Sequence, residues 1–178
     1  NPSHLLIGAA TGGVWETFGA LGTAVWNRTP KTDAEASLAM GAIAFASNNP
    51  KIIYAGTGEP TGYAYGGAGL LKSVDGGVHW KLLAESTFGG TAFSGIKVHP
   101  KDPGILVATT NIARPDVFWR VHIPPDTPPT GIFRSTDGGS HWKLKVEGQA
   151  TDLTVHPQNF NLQYACTGHP LGSPTNGV

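Results

Sequence analysis

The sequence predicts an all-β protein built from short antiparallel strands in repeated units, and three observations support this fold class. The 178 residues include 25 Gly and 14 Pro, about twice the usual share, which indicates many turns. Apolar residues still make up 39 % of the chain, which is enough to bury a core. The sequence also repeats itself, because the segments 69–83 and 131–145 share nine of their fifteen residues.

A second recurrent block defines the repeat units. It reads Ile-Lys-Val-His-Pro from residue 96 and Leu-Thr-Val-His-Pro from residue 153, with a weaker copy that begins at Ile43. Together the two blocks predict units of about 50 residues. The chain therefore divides approximately into residues 1–42, 43–95, 96–152 and an incomplete unit at 153–178.

Each complete unit contains four apolar stretches that are separated by turn residues. In the third unit they are 96–98, which His-Pro closes, then 105–109, 131–135 and a stretch that begins at Trp142. No segment has a convincing helical period, although Ala34–Ala46 comes closest. Four short antiparallel strands in each of several tandem units are typical of the blades of a β-propeller.

The number of units predicts that further blades exist. About three units are present, whereas a propeller ring closes with roughly four to eight blades. An open ring would leave unpaired strand edges. We therefore expect a segment of a larger propeller, with the remaining blades supplied by other sequence or by another subunit.

The most specific motif is Ser-x-Asp-Gly-Gly-x-His-Trp, which occurs at 73–80 and 135–142. We expect Asp75 and Asp137 to accept hydrogen bonds from amides of their own turns. The glycine pair after each Asp permits the positive φ of a tight hairpin, and the Trp covers the hairpin. The first unit departs from this pattern, because residues 18–26 lack the Asp and its hairpin must close differently.

This pattern resembles the Asp box, or bacterial neuraminidase repeat. The family includes sialidases, the sortilin luminal domain, xyloglucan-active hydrolases and a photosystem assembly factor. The resemblance spans essentially the whole chain and implies that the box is a structural turn. It assigns that role to Ser73, Asp75, Gly77, Trp80, Ser135, Asp137, Gly139 and Trp142.

Composition excludes several classes of partner and cofactor. Lys and Arg total 12 and so do Asp and Glu, so no basic excess favours nucleic acid or a membrane surface. No apolar run is long enough to span a membrane. The single Cys166 excludes an internal disulfide, and we expect its thiol to be buried. The seven His show no metal-binding spacing, so no metal or other cofactor is expected.

Candidate binding residues lie in the loops between the second and third strands of the units. These loops are 58–68, the long 111–130 and 168–176, and long loops often carry function. Aromatic, charged and Pro residues concentrate there, which suits a glycan or a protein partner. The candidates are Glu59, Tyr63, Tyr65, Arg114, Trp119, Arg120, His122 and His169.

Three functions remain open from the sequence. The favoured one is a non-catalytic, extracellular interaction or scaffold module, since the resemblance implies secretion. The alternative is a glycoside hydrolase segment that pairs Glu59 with a second loop carboxylate such as Asp116 or Glu85. A further alternative is an accessory or assembly subunit of a larger complex. A sialidase is not expected, because the four Arg do not provide the required cluster of three.

Overall fold

The computed structural model describes residues 3–29, 37–60, 65–113, 127–168 and 177. These residues form strands and one short helix. Their bounds are β1 Leu5–Ala9, β2 Gly13–Thr17, β3 Asn27–Arg28, β4 Met40–Ala46, β5 Asn49–Thr57, β6 Leu70–Ser73, β7 Lys81–Leu83, α1 Glu85–Phe88, β8 Thr91–Val98, β9 Leu106–Ile112, β10 Gly131–Ser135, β11 Lys143–Glu147, β12 Ala150–His156 and β13 Asn159–Thr167.

The strands form four antiparallel sheets that follow the chain in order. The first sheet is β1-β2-β3, the second β4-β5-β6-β7, the third β8-β9-β10-β11 and the fourth β12-β13. Neighbours in each sheet are also consecutive in sequence, because a short turn or a loop connects each pair of antiparallel strands. The expected all-β class and the four-stranded antiparallel sheet are thus both present in the described residues.

The first strands of successive sheets pack against one another. β4 lies against β8, and β8 lies against β12. Gly41 in β4 approaches the β8 backbone so closely that a Cβ there would overlap the carbonyl oxygen of Phe93. Because only a residue without a side chain permits this contact, the glycine brings the second and third sheets together.

The largest hydrophobic cluster lies between the second and third sheets. Its centre is Phe88, whose ring meets those of Phe93, Phe133 and Trp142 at centroid distances of 4.7, 5.0 and 5.3 Å. All three contacts are edge-on, which is the favourable arrangement for aromatic rings. Phe88 belongs to α1, so this short helix connects the two sheets.

The structure differs from the sequence-based expectations at three points. Helix α1 occupies a link expected to be a plain loop, and its four residues are too few to show a helical period. The first strand of the third unit begins at Thr91, not at Ile96. Cys166 is exposed, so the expectation of a buried thiol is wrong. It lies on β13, the edge strand of a two-stranded sheet that leaves much of its surface uncovered.

Candidate functional site

The antiparallel topology places the connections on two opposite faces. The turns 74–80 and 136–142 lie on the same face as the links between first and second strands, here called the Asp-turn face. The links between second and third strands, and those between sheets, lie on the other face, here called the loop face. The Asp-box residues and the candidate binding residues therefore belong to different faces.

The first Asp turn is closed by its own side chains. Asp75 Oδ1 accepts hydrogen bonds from the Ser73 hydroxyl and from the His79 amide, both at 2.9 Å. The Ser73 hydroxyl in turn accepts a bond from the Gly77 amide at 2.9 Å. The Trp80 indole donates to the Gly77 carbonyl at 2.9 Å. The side chains of Ser73, Asp75 and Trp80 thus all have partners within the turn.

The second Asp turn repeats this network almost atom for atom. Asp137 Oδ1 accepts from the Ser135 hydroxyl at 2.9 Å and from the His141 amide at 3.0 Å. The Gly139 amide donates to the Ser135 hydroxyl and the Trp142 indole donates to the Gly139 carbonyl, both at 3.0 Å. The two copies share one geometry because they share the residues that make these bonds.

The histidines of both turns have a role that sequence reasoning missed. The Nδ1 atoms of His79 and His141 lie 2.6 Å from Oδ2 of Asp75 and Asp137, respectively. Each carboxylate therefore engages both of its oxygens inside its own turn. The signal in the sequence was the fixed spacing of four residues between Asp and His.

The same contacts shift the titration of the carboxylates. Hydrogen bonds from the backbone and ring of His141 lower the pKa of Asp137 to about 2, and those from His79 lower the pKa of Asp75 well below its usual range. A depressed pKa in the folded state contributes stability above the ordinary pKa of 3.8. That contribution disappears as the pH falls from there toward about 2.

The variant Asp137→Asn is expected to melt at a lower temperature than the parent at pH 7. The difference should shrink as the pH falls through 3.8 toward about 2, since the parent carboxylate is then protonated as well. Thermal melting followed by circular dichroism over this pH range measures the difference in melting temperature. The variant Asp75→Asn serves as a replicate in the other turn. A melting difference that stays constant with pH would contradict the assignment.

The Asp turns also connect neighbouring parts of the structure. The Lys72 ammonium of the second sheet donates to the Gly138 carbonyl of the third at 3.0 Å and lies 5.3 Å from the Tyr54 ring centroid. The Tyr54 hydroxyl donates to the Pro103 carbonyl at 2.8 Å. Burial, together with the charge of Asp102, raises the pKa of Tyr54 to about 12, and burial lowers the pKa of Lys72.

On the loop face, three threonines at or near the ends of second strands bond to the residue on the far side of the following loop. Thr57 donates from its hydroxyl to the Gly69 carbonyl at 2.6 Å and accepts from the Gly69 amide at 2.9 Å. Thr110 accepts from the Gly131 amide at 3.1 Å. Thr167 donates to the Gly177 carbonyl at 3.2 Å. However long the intervening loop, its two ends are therefore held together.

Glu59 and Tyr65 come together in the first of these loops. The Glu59 amide donates to the Tyr65 carbonyl at 2.9 Å, so the loop closes on itself. Glu59 is buried, with 9 % of its surface exposed, whereas Tyr65 is 51 % exposed. The hydrogen bond thus joins the backbone of a buried acid to that of an exposed tyrosine.

The remaining candidate residues are distributed as follows. Glu85, named above as a possible second carboxylate, lies exposed on the link between the second and third sheets. Two further acids beside the links between sheets are also exposed, Glu147 and Asp152. The Gln149 side-chain oxygen, on the last of these links, is buried and has no hydrogen-bond partner among the described residues. The other candidates lie outside the described residues, namely Tyr63, Arg114, Asp116, Trp119, Arg120, His122 and His169.

No group of three or more His, Cys, Asp or Glu side chains that could hold a metal ion occurs within the described ranges. No helix in the part of the chain that the structure describes is long and apolar enough to cross a membrane.

Comparison with known proteins gives structural neighbours but no family. No protein-family model matches the chain, and no curated protein is similar to it in sequence. Among solved structures, an ancestral GH74 enzyme is 18 % identical with a TM-score of 0.65 over 93 % of this chain. The GH74 enzyme of Niastella koreensis is 15 % identical with a TM-score of 0.66 over 94 %.

This likeness concerns the fold. The neighbours are GH74 glycoside hydrolases of the β-propeller type, so the chain has a propeller-type fold. It spans only 20 % and 23 % of the two neighbouring chains, about a fifth of their length.

Proposed function

We propose that this chain is a run of successive blades of an Asp-box β-propeller that binds a glycan on its loop face. In this proposal the protein is extracellular and the chain itself does not cleave the glycan. The Asp-box resemblance supports the location, and the glycoside hydrolases among the structural neighbours favour a glycan over a protein partner.

The observation that carries the proposal is the exposed ring of Tyr65 on the loop face, next to a backbone hydrogen bond with Glu59. An exposed aromatic ring offers a sugar a flat apolar surface on which it stacks. The bond between the Glu59 amide and the Tyr65 carbonyl fixes the relative position of the two residues before a ligand arrives. Such preorganisation lowers the entropic cost of binding.

The hydrogen bonds of the Asp-turn carboxylates support a structural role for them. Both oxygens of Asp75 and of Asp137 are bonded within their own turns. A catalytic acid or base must instead reach the substrate. The network therefore favours folding as the task of these residues and leaves recognition to the opposite face.

A glycoside hydrolase is the second candidate function, and the glycoside hydrolases among the structural neighbours favour it. In that function Glu59 would supply one of the two carboxyl groups. The reaction also needs a second carboxylate at about 5–5.5 Å or about 6.5–9.5 Å. Within the larger protein, that partner could come from the long loop or from another blade. Membership of a larger assembly is compatible with either function.

The variant Tyr65→Ala is expected to bind xyloglucan oligosaccharides about tenfold more weakly, because the loss of one stacked ring costs about 1.4 kcal/mol. Its melting temperature should stay unchanged, since the ring is half exposed. Isothermal titration calorimetry measures the affinity. The matched control is Tyr164→Ala, which removes an equally exposed ring from β13. Equal affinities for Tyr65→Ala and the parent would refute the assignment of the loop face.

Activity separates the two candidate functions. The chain is expected to bind the oligosaccharides without releasing reducing sugar from them. Release that the variant Glu59→Gln abolishes, with binding retained, would establish the hydrolase instead.

A further inference from the structure

The repeated Val-His-Pro segments line a cleft on the Asp-turn face that the proposed function does not use. The cleft lies where the links between first and second strands of the third and fourth sheets meet, and its volume is about 500 Å³. We call it the His cleft. Its lining residues include His99, Lys101, His156 and Gln158. A cleft of this volume is large enough for a small ligand.

The two histidine rings of the His cleft are held by amides of their own turns. His99 Nδ1 accepts hydrogen bonds from the Lys101 amide at 3.2 Å and from the Asp102 amide at 3.1 Å. His156 Nδ1 accepts from the Gln158 amide at 3.2 Å. Because a ring nitrogen that accepts a hydrogen bond carries no proton, the proton of each neutral ring lies on Nε2. Each ring therefore has an Nε2–H donor on the side away from its turn.

These two Nε2–H groups are available to a ligand. Neither has a hydrogen-bond partner within the part of the chain that the structure describes, where the rings bond only through Nδ1. The His99 ring also packs edge-on against the buried Phe160 ring at a centroid distance of 4.9 Å, which further fixes its orientation. Donors that are fixed before a ligand arrives lower the entropic cost of binding.

The charged groups at the His cleft favour an anion. Lys101 lines the cleft and makes no ion pair with any described residue, and no described Asp or Glu lines it. The acid next to it in sequence, Asp102, instead accepts a hydrogen bond from the Gly104 amide at 2.8 Å within the turn. The cleft thus combines one ammonium group with two ring N–H donors.

The protonation of the rings opposes a metal ion at the same place. A metal binds a ring nitrogen through its lone pair. Coordination at Nε2 would place the proton on Nδ1, where His99 and His156 accept hydrogen bonds from turn amides. Since those bonds would then be lost, the rings serve as donors and their ligand must be an acceptor.

We propose that the His cleft binds an oxyanionic group, a carboxylate or a sulfate. Its oxygens accept hydrogen bonds from the Nε2–H groups of His99 and His156, and the Lys101 ammonium balances its charge. Hydrogen bonds to an ionised acceptor are about twice as strong as those between neutral groups. This site is independent of glycan binding at Tyr65, because it lies on the opposite face.

The test is a titration of the chain with sodium sulfate and with sodium glucuronate at constant ionic strength, with glucose as the neutral control. Long-range proton–nitrogen NMR spectra follow the ring nitrogens of the histidines. We expect both anions to shift the Nε2 resonances of His99 and His156 in a saturable way, and glucose to leave them unchanged. Tighter binding of glucuronate would identify an acidic sugar as the source of the anion, and tighter binding of sulfate a free oxyanion. Both results support the site.

The double variant His99→Asn, His156→Asn removes both Nε2–H groups and keeps an acceptor for the turn amides. Asn49 Oδ1 already accepts from the Lys51 amide in this way at 3.2 Å in the second sheet. We expect the double variant to bind sulfate at least about tenfold more weakly at an unchanged melting temperature. The backbone amide resonances of residues 97–102 measure the affinity, since all variants retain them.

The variant Lys101→Gln tests the site without a change in either ring, so it decides the matter if the double variant melts earlier. It should also bind sulfate more weakly, whereas the matched control Lys51→Gln removes the same charge outside the His cleft and should bind like the parent. No saturable shift with either anion, or equal binding by Lys101→Gln and the parent, would overturn the proposal. Zinc binding by the parent that the double variant loses would overturn it as well.

Discussion

Replacing Phe88 with alanine is expected to destabilise the protein by about 3–5 kcal/mol, the usual cost of removing a fully buried phenylalanine. Phe88 has no exposed surface, and its ring contacts three aromatic rings of the third sheet and its Asp turn. Tyr54 and Leu70 of the second sheet belong to the same buried cluster. The cavity would lie where α1 joins the two sheets, so little of it can close by local rearrangement. Chemical denaturation followed by tryptophan fluorescence measures the change.

The matched control is Phe18→Ala, which removes the same ring from a position that is 60 % exposed. Its cost should stay below about 1 kcal/mol, as is usual for surface substitutions. Equal costs for the two variants would show that α1 does not anchor the core.

The change Gly41→Ala is expected to cost about 3 kcal/mol or more, although it adds a single methyl group. A Cβ at this position overlaps the carbonyl oxygens of Phe93 and Gly58. Because both are backbone atoms, relief requires the first strands of the second and third sheets to move apart. The loss of stability should appear in both thermal and chemical denaturation.

The control for this change is Gly22→Ala, since a Cβ at Gly22 meets no atom within 4 Å. It should change the free energy of unfolding by less than about 1 kcal/mol. If Gly41→Ala were tolerated as well as Gly22→Ala, the first strands of these two sheets could not be in the contact described above.

The fold was predictable where its determinants are local and repeated. The turns at 73–80 and 135–142 are closed by side chains within the same few residues, so their hydrogen bonds follow from the motif. The order of the strands follows from the repeat, because antiparallel neighbours need only short connections. The contacts of His79 with Asp75 and of His141 with Asp137 were not predicted, because they depend on the backbone conformation of the turn.

Features that depend on packing between sheets were not predictable. Helix α1 exists because Phe88 fills the space between two sheets, and four residues carry no periodic signal. Likewise, nothing in the sequence around Lys72 indicates that its ammonium group reaches Gly138 of the next sheet.

The candidate site was predictable only in outline. The sequence indicated the loop between the second and third strands, together with Glu59 and Tyr65. It did not indicate that a backbone hydrogen bond joins these two residues, because that bond depends on how the loop closes. The threonine contacts that hold the loop ends, such as that of Thr57, were missed for the same reason.

We propose that the loop face recognises a glycan while the Asp turns serve the fold. The most direct test titrates xyloglucan oligosaccharides into two single variants, Tyr65→Ala and Asp137→Asn, and records the melting temperature of each. We expect Tyr65→Ala to lose about tenfold in affinity at an unchanged melting temperature. We expect Asp137→Asn to melt at a lower temperature and to bind like the parent. Loss of affinity in Asp137→Asn, together with full affinity in Tyr65→Ala, would contradict this proposal.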